Sequence, residues 1–392
     1  MLAPAAGSGE RIGELMKIPK GVRKRADGRY EWRFQYNGES FSGYATSIRD
    51  AKEQLDNMKH DVKNGIFSKE TQLTLDAWFE KWIEIYKTAD CKESTLQFYR
   101  DTYKRYIKPV FGSKKIKSLN AEQIQLYSNQ KAKEYSKSIA STINFLLFDC
   151  LRQAERLKLI NKNPMVNTTP PKYKRTEKKK ALSSDTVQLF LEYSKDSSYY
   201  PIFRTATLSG MRIGEILGLS WDCVDFDNEC IRIEQQLCYT VEKGQYLDTP
   251  KSEASRRTIP MERDSELYRL MRKRRAEQNR QKLDMGTLWQ TKAGMSNLVF
   301  TTRTGKPHSD SNIRKMIKFF ISQMREDGHE IEDFTPHTLR HCFATRAIEA
   351  GMNPRTLQAI LGHSTFEMTM NIYVDVMEKM KIEEMRKIQA AL

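Results

Sequence analysis

The stretch TTPPKYKRTEKKK, residues 168–180, constrains the fold more than any other part of the chain. It contains two prolines, six basic residues and one glutamate, so it favours an extended, exposed connection over a helix or a strand. The chain has 392 residues, which exceeds the usual span of one hydrophobic core. We therefore expect two or three folded domains, with this basic linker as one boundary.

The net charge favours a polyanionic partner, because 66 Lys and Arg residues outnumber 50 Asp and Glu residues and give +16. Nucleic acid is the first candidate, ahead of a membrane surface. The sequence has neither an 18-residue apolar run nor a signal peptide, which predicts a soluble, cytoplasmic protein without a membrane partner. The six cysteines form no CxxC pair, which argues against a zinc ribbon and a disulfide scaffold. Residues 1–15 are expected to be a flexible lead.

Residues 16–70 predict a small sheet followed by a helix. Aromatic residues alternate with polar ones from Tyr30 to Tyr36, and Asp27-Gly28 and Asn37-Gly38 are strong hairpin turns. This pattern is that of a three-stranded meander, with a helix over residues 47–62. One sheet face would carry Arg33 and Gln35, with three basic residues beside it: Arg23, Lys24 and Arg25. That face either contacts DNA or is a solvated outer surface.

Residues 71–167 predict a helical domain. Trp78, Phe79 and Trp82 recur at helical spacing, and Tyr99 and Tyr103 follow in a second helix. Two more helical stretches cover roughly 120–135 and 138–158, which gives a four-helix domain with an aromatic core. The linker that follows could lie along a DNA backbone through four of its basic residues: Lys172, Lys174, Arg175 and Lys178.

Residues 181–374 are predicted to be mostly helical, broken by a β-rich insert around 229–260 with turns near Gly244 and Lys251. In this region TPHTLRHCFATRAIEAG, residues 335–351, has unusually clear helix boundaries, with Thr335 as N-cap, Pro336 at the first position and Gly351 as the stop. An apolar stripe is predicted on one face of this helix, formed by Leu339, Phe343, Ala347 and Ala350. His337, Arg340 and His341 line another face.

Further polar features of this region stand far apart in sequence. In SGMRIGEILGLSW, Arg212 and Glu215 are three apart on one face of a predicted helix whose buried stripe is Ile213, Ile216 and Leu217. Lys251 is placed at the tip of a predicted hairpin in TPKSEASRRTIP. In NPRTLQAILGHS, Asn353 caps a short helix and Gly362 ends it, which delivers His363. Tyr373 follows ten residues later. Each feature alone has an ordinary structural explanation.

Together these motifs resemble those of the tyrosine recombinase family, which includes phage and conjugative-transposon integrases. The family's ordered set is matched by Arg212, Lys251, His337, Arg340, His363 and Tyr373. The resemblance implies an α+β, multidomain fold that is mostly α with small β-sheets: an arm-site DNA-binding domain (16–70), a helical core-binding domain (71–167) and a mixed α/β catalytic domain (181–374). It also implies a site-specific recombinase of a mobile element that needs no metal, ATP or other cofactor.

In this resemblance Tyr373 attacks a DNA phosphate and forms a 3'-phosphotyrosine link. Two arginines, Arg212 and Arg340, neutralise the charge of the phosphoryl transition state. Lys251 protonates the leaving 5'-hydroxyl, and His337 helps to deprotonate Tyr373. Glu215 orients a member of the cluster. These roles make double-stranded DNA, with core and arm sites, the expected substrate.

The resemblance also implies a homo-tetramer on DNA. The C-terminal tail, residues 375–392, is predicted to be an amphipathic helix that docks on a neighbouring protomer, with an excisionase or a host DNA-bending protein as further possible partners. A zinc site on His337 and His341 is disfavoured, because Thr338 stands where the metalloprotease motif has Glu. Three alternatives stay open: a catalytically silent DNA-binding regulator of the same fold, a type IB topoisomerase-like enzyme, and a metal-dependent transposase or nuclease.

Overall fold

The computed structural model describes residues 18–63, 73–173, 182–250 and 253–391. The chain divides into two compact units between residues 176 and 177. The first unit holds two separate hydrophobic cores, one beneath a small sheet and one inside a helical bundle. The fold is mostly α with small antiparallel sheets, which confirms the predicted fold class. No helix within the described ranges has the length and apolarity needed to cross a membrane.

The N-terminal sheet has the predicted meander topology. Its elements are β1 (Val22–Lys24), β2 (Tyr30–Tyr36), β3 (Glu39–Ala45) and α1 (Ile48–Lys63). The strands pair antiparallel in the order β1-β2-β3. Trp32 is buried and donates from its indole nitrogen to Gln54 Oε1 on α1 at 2.9 Å. The alternation from Tyr30 to Tyr36 thus puts its aromatic residues toward the helix, while Arg33 and Gln35 are exposed.

Four helical segments form the bundle that follows. They contain α2 (Leu75–Trp82), α3 (Glu93–Thr102), α4 (Lys108–Phe111), α5 (Ala121–Glu134) and α6 (Lys137–Arg156). A π-helical turn extends α2 over Ile83–Lys87, and another joins α3 to α4 over Tyr103–Ile107. The predicted aromatic positions form the core, where the rings of Phe79 and Tyr103 stack with centroids 3.7 Å apart.

The second unit surrounds one large core. Its helices are α7 (Ser184–Ser194), α8 (Tyr200–Ser209), α9 (Ile213–Leu217), α10 (Glu266–Met285), α11 (Asp310–Glu326), α12 (Pro336–Glu349), α13 (Pro354–Leu361) and α14 (Phe366–Ala391). Its strands are β4 (Val224–Asp225), β5 (Cys230–Ile233), β6 (Gln236–Thr240), β7 (Gly244–Asp248) and β8 (Arg257–Pro260). Its core includes three aromatic residues from α7, α8 and α11: Phe190, Phe203 and Phe320.

The β-rich insert differs from its prediction in one respect. Strands β6 and β7 form a two-stranded hairpin that turns at Gly244, as expected, where φ is +64°. Strand β8, however, pairs with β5 in a separate sheet of order β4-β5-β8. The two described strands that flank Lys251, β7 and β8, therefore do not pair with each other as a hairpin, because they belong to different sheets. Lys251 itself lies outside the described residues.

Candidate active site

Arg212 comes into the site from an extended backbone at the start of α9. Its φ of −69° and ψ of 149° put it outside the helix, which corrects the prediction that Arg212 and Glu215 share a helix face. Glu215 reaches back to it instead: the backbone N–H of Arg212 donates to Glu215 Oε2 at 2.9 Å, and Arg212 Nη1 donates to Oε1 at 2.7 Å. The helix begins with a carboxylate accepting the N-cap amide, which fixes the arginine side chain.

Arg340 is a buried cation on α12, with 3% of its surface exposed. Nη1 donates to the carbonyl of Gly210 and Nη2 to the carbonyl of Leu361, both at 2.7 Å. Burial, and then the nearby Arg212, lower the pKa of Arg340 to about 9, so its guanidinium remains protonated at neutral pH. The helix has the predicted Thr335 N-cap, but Ala350 lies beyond the last turn and is exposed, which corrects its place on the apolar stripe.

His363 follows α13 directly. Asn353 caps that helix by accepting from the backbone N–H of Arg355 at 2.8 Å, and Gly362 ends it with φ of +65°. The His363 ring is buried and shares a 2.9 Å hydrogen bond between Nδ1 and Thr369 Oγ1. Burial, and then the charge of Arg340, lower the pKa of His363 to about 4. The ring is therefore neutral at neutral pH and can donate one hydrogen bond and accept another.

The two arginines meet at the turn that carries His363. Arg340 holds the carbonyl of Leu361, and Arg212 Nη2 donates to the next carbonyl, that of Gly362, at 3.0 Å. Two guanidinium groups separated by more than a hundred residues in sequence thus bind adjacent peptide groups. The arrangement concentrates positive charge beside a neutral imidazole, which suits an anionic group such as a phosphodiester.

The remaining predicted side chains lie around this cluster. His337 is exposed one turn before Arg340, and partial desolvation followed by the charge of Arg340 lowers its pKa. Tyr373 lies on α14, half-buried, and packs against a small core that includes Leu361. His341 contacts Thr345 Oγ1 through Nδ1 at 3.4 Å. Among the described residues, no group of three or more His, Cys, Asp or Glu side chains could hold a metal ion.

Sequence reasoning missed Arg257, which lies in the same TPKSEASRRTIP motif as Lys251. Its side chain is 5% exposed and makes an ion pair with Glu215 between Nη2 and Oε2 at 2.8 Å. The alternation in RTIP could have indicated it, because Arg257 falls on the same inward face of strand β8 as Ile259.

The residues predicted to contact DNA fall into two groups. Arg23, Lys24, Arg25, Arg33, Gln35 and Lys172 are all exposed. Glu31 holds Arg23 and Arg25, at 2.8 Å and 3.6 Å, while Arg33 Nε donates to Ser40 Oγ at 3.0 Å. Arg23, Arg25 and Arg33 thus lie on the sheet face of Glu31. Lys24 pairs with Tyr30 and lies on the opposite face, with its Nζ atom 5.9 Å from the centroid of the Tyr30 ring. The other predicted contacts, Lys174, Arg175 and Lys178, lie outside the described residues.

Comparison with known proteins decides the family. The Phage integrase family matches residues 180–380, slightly more than half of the chain. The chain belongs to the phage integrase family. The integrase also matches the Phage integrase N-terminal SAM-like domain over residues 74–132, within the helical bundle.

Relatives of the integrase include a transposon transposase and tyrosine recombinases. It is 24% identical over 410 residues to the transposase from transposon Tn916 of Enterococcus faecalis, covering 96% of this chain and 95% of the relative. It is 28% identical to a XerC-like tyrosine recombinase of Caldanaerobacter subterraneus subsp. tengcongensis, covering 86% of this chain and 88% of the relative.

Among solved structures, the Tn1549 transposon integrase in complex with transposon right end DNA superposes with a TM-score of 0.64 at 25% identity. This match covers 80% of the integrase and 99% of that chain. The predicted family and the predicted enzyme class, a tyrosine recombinase, are therefore confirmed. The integrase is a site-specific DNA recombinase of the kind that mobile elements encode.

Proposed function

We propose that the integrase cuts and rejoins DNA at the attachment sites of a mobile element, using Tyr373 as nucleophile. The observation that supports this best is the pair of adjacent carbonyls, on Leu361 and Gly362, that anchors Arg340 and Arg212 beside His363. Such an anchor holds two cations in place before the substrate arrives. Pre-placed charge of this kind stabilises a transition state without reorganisation at the moment of reaction.

The proposed reaction proceeds by two transesterifications. The phenolic oxygen of Tyr373 attacks the phosphorus as its proton passes to His337, the bond from phosphorus to the 5'-oxygen breaks, and Lys251 protonates that oxygen. Arg212 and Arg340 bind the non-bridging oxygens. The 3'-phosphotyrosine is later attacked by the 5'-hydroxyl of another strand, which releases Tyr373. Each step exchanges one phosphodiester for another, so neither ATP nor a metal ion is needed.

His363 and Glu215 complete this assignment. The imidazole of His363, neutral at neutral pH, donates a hydrogen bond to a phosphate oxygen from Nε2 while Nδ1 accepts from Thr369. Glu215 keeps Arg212 pointing toward the same phosphate. Burial alone would raise the pKa of Glu215, but hydrogen bonds from Arg257 and the charges of Arg257 and Arg212 lower it, so the carboxylate is ionised at neutral pH.

We assign the domains as follows. Residues 1–15 are a lead segment. Residues 16–70 bind arm sites through the exposed face of strands β1 to β3. Residues 71–167 bind the core site, residues 168–180 follow the DNA backbone as a linker, and residues 181–374 carry out the chemistry. Because basic side chains would neutralise DNA phosphates at both sites, the affinities for arm-site and core-site DNA should fall steeply as the salt concentration rises.

The active assembly is proposed to be a homo-tetramer on DNA, linked by tails at residues 375–392 and assisted by an excisionase or a host DNA-bending protein. Met385 and Ile388 support the tail contact, because both are exposed on α14 and would gain by covering apolar surface. Deleting residues 375–392 should abolish tetramers on junction DNA in native gels while leaving single-site binding intact. Unchanged tetramers would contradict the role of the tail.

The decisive experiment traps the covalent intermediate. A labelled core-site duplex is nicked just beyond the cleavage position, so that the freed fragment diffuses away, and the reaction runs in EDTA. A protein–DNA adduct on a denaturing gel with the parent protein and none with Tyr373→Phe is expected. An adduct that survives Tyr373→Phe would refute the choice of nucleophile. Tight core-site binding without any adduct would instead favour the silent regulator, and adduct formation that requires a divalent metal would refute the metal-free mechanism.

A further inference from the structure

Arg257 occupies the interior of the proposed active site without being part of its reacting set. It begins strand β8, and every nitrogen of its guanidinium has a protein acceptor. Nη1 donates to Glu215 Oε1 at 3.0 Å and to the carbonyl of Ser255 at 3.1 Å, and Nη2 donates to Glu215 Oε2 at 2.8 Å. Nε donates to the carbonyl of Ile360. With these donors engaged and its side chain buried, Arg257 is poorly placed to contact DNA.

Glu215 is shared between two cations. Arg212 and Arg257 both bind its carboxylate, which is 2% exposed. Two positive charges therefore face one negative charge, and the group as a whole keeps a net charge of about +1 for the phosphate. Without Arg257, the carboxylate would pair with Arg212 alone and cancel its charge. It would also be left buried with half of its hydrogen bonds missing.

Arg257 also supports the turn that carries His363. Its Nε binds the carbonyl of Ile360, the residue before the two carbonyls that anchor Arg340 and Arg212. A Cβ atom at Gly362 would lie 3.0 Å from Arg257 Cδ, so the turn lies directly against this side chain. Three consecutive carbonyls, at residues 360–362, are thus each held by a different arginine.

We propose that Arg257 is a positioning residue that sets the charge and orientation of Arg212 through Glu215 and fixes the turn bearing His363. Loss of Arg257 slows the chemical step more than it weakens DNA binding. This inference rests on the proposed function, because it concerns the same site. A guanidinium is required, since one lysine ammonium cannot occupy both carboxylate oxygens and the Ile360 carbonyl together.

The test measures single-turnover cleavage of the nicked core-site duplex at saturating protein, with DNA affinity measured separately. Arg257→Gln should reduce the cleavage rate about 10- to 100-fold, in line with other losses of supporting hydrogen bonds at catalytic groups, and change affinity less than about threefold. Arg257→Lys should recover only part of the rate. Arg274→Gln is the matched control, since Arg274 is also buried in this unit but donates to the carbonyls of Val299 and Thr301.

A double-mutant cycle separates positioning from general instability. If Arg257 acts through Glu215, then Arg257→Gln should slow cleavage less in a Glu215→Gln background than in the parent, because the charge it neutralises is gone while its contact with the Ile360 carbonyl remains. Thermal unfolding of each variant sets an assay temperature at which all are folded. The proposal would be overturned if Arg257→Gln slowed cleavage by the same factor in the parent and in the Glu215→Gln background. It would also be overturned if Arg274→Gln slowed cleavage as much as Arg257→Gln. The parent protein and Tyr373→Phe run beside them: absence of the parent adduct refutes the proposed function, whereas a full-rate Arg257→Gln refutes this inference alone.

Discussion

Replacing Gly210 by alanine should destabilise the second, C-terminal unit more than the same change at its other glycines with positive φ. Gly210 ends α8 with φ of +64°, where an L-residue costs about 1–2 kcal/mol. A Cβ there would also lie 2.4 Å from Phe343 Cδ1 and 2.9 Å from Leu361 Cδ2, which adds about 1–3 kcal/mol of overpacking. The Gly210 carbonyl accepts from Arg340, so the same change displaces a cation of the proposed site.

Gly328 provides the matched control, because it has φ of +89° and nothing within 4 Å of an added Cβ. Gly328→Ala therefore carries the backbone strain without the collision. Calorimetry of the C-terminal unit should place the Gly210→Ala transition about 2–12 °C below that of Gly328→Ala, since 1 kcal/mol shifts a unit of this size by about 2–4 °C. Equal transition temperatures would refute the packing argument, and undiminished cleavage by Gly210→Ala would refute its coupling to Arg340.

Three further outcomes are expected. Gly43→Ala would put a Cβ 2.4 Å from Trp32 Cζ2, so arm-site binding in gel shifts should fall while core-site cleavage persists; intact arm binding would contradict the proposed role of the sheet. Because burial lowers the pKa of His363 from 6.5 to about 4, the unfolded chain binds more protons between these values. Stability should therefore fall as pH drops from about 6.5 to 4, and less steeply in His363→Gln; an unchanged slope in calorimetry would exclude His363 as the source. Asp149→Asn breaks a buried pair with Lys87 at 2.5 Å and should destabilise the bundle by about 3–5 kcal/mol in urea unfolding, whereas the exposed Glu192→Gln should not; equal effects would argue against a buried ion pair.

Local patterns predicted the elements of this integrase well. The alternation around Trp32 determined which strand face meets the helix, because successive strand residues point in opposite directions. Thr335, Asn353 and Gly362 marked helix ends correctly, because capping satisfies backbone groups within a few residues of the cap. These are short-range effects, and the sequence carries them directly.

The site was predicted in its motifs but not in its connections. Arg212 was expected on a helix face and lies on an extended N-cap, and the strands around Lys251 were expected to pair but belong to separate sheets. Both errors have one cause: a local pattern does not identify the distant segment that will supply a hydrogen bond. The roles of the individual site residues remain predictions, which the trapped-intermediate experiment tests.

The sequence by itself determined the basic character, the main helix boundaries and the ordered motif set of this integrase. Only the tertiary structure decided that Arg340, Arg212 and Arg257 hold the three consecutive carbonyls at residues 360–362, and that Glu215 is shared by two of these arginines. The physical reason is that capping and periodicity act within a few residues. Burying a charge, by contrast, requires partners from whichever segments the packed core brings together, and these are distant in sequence.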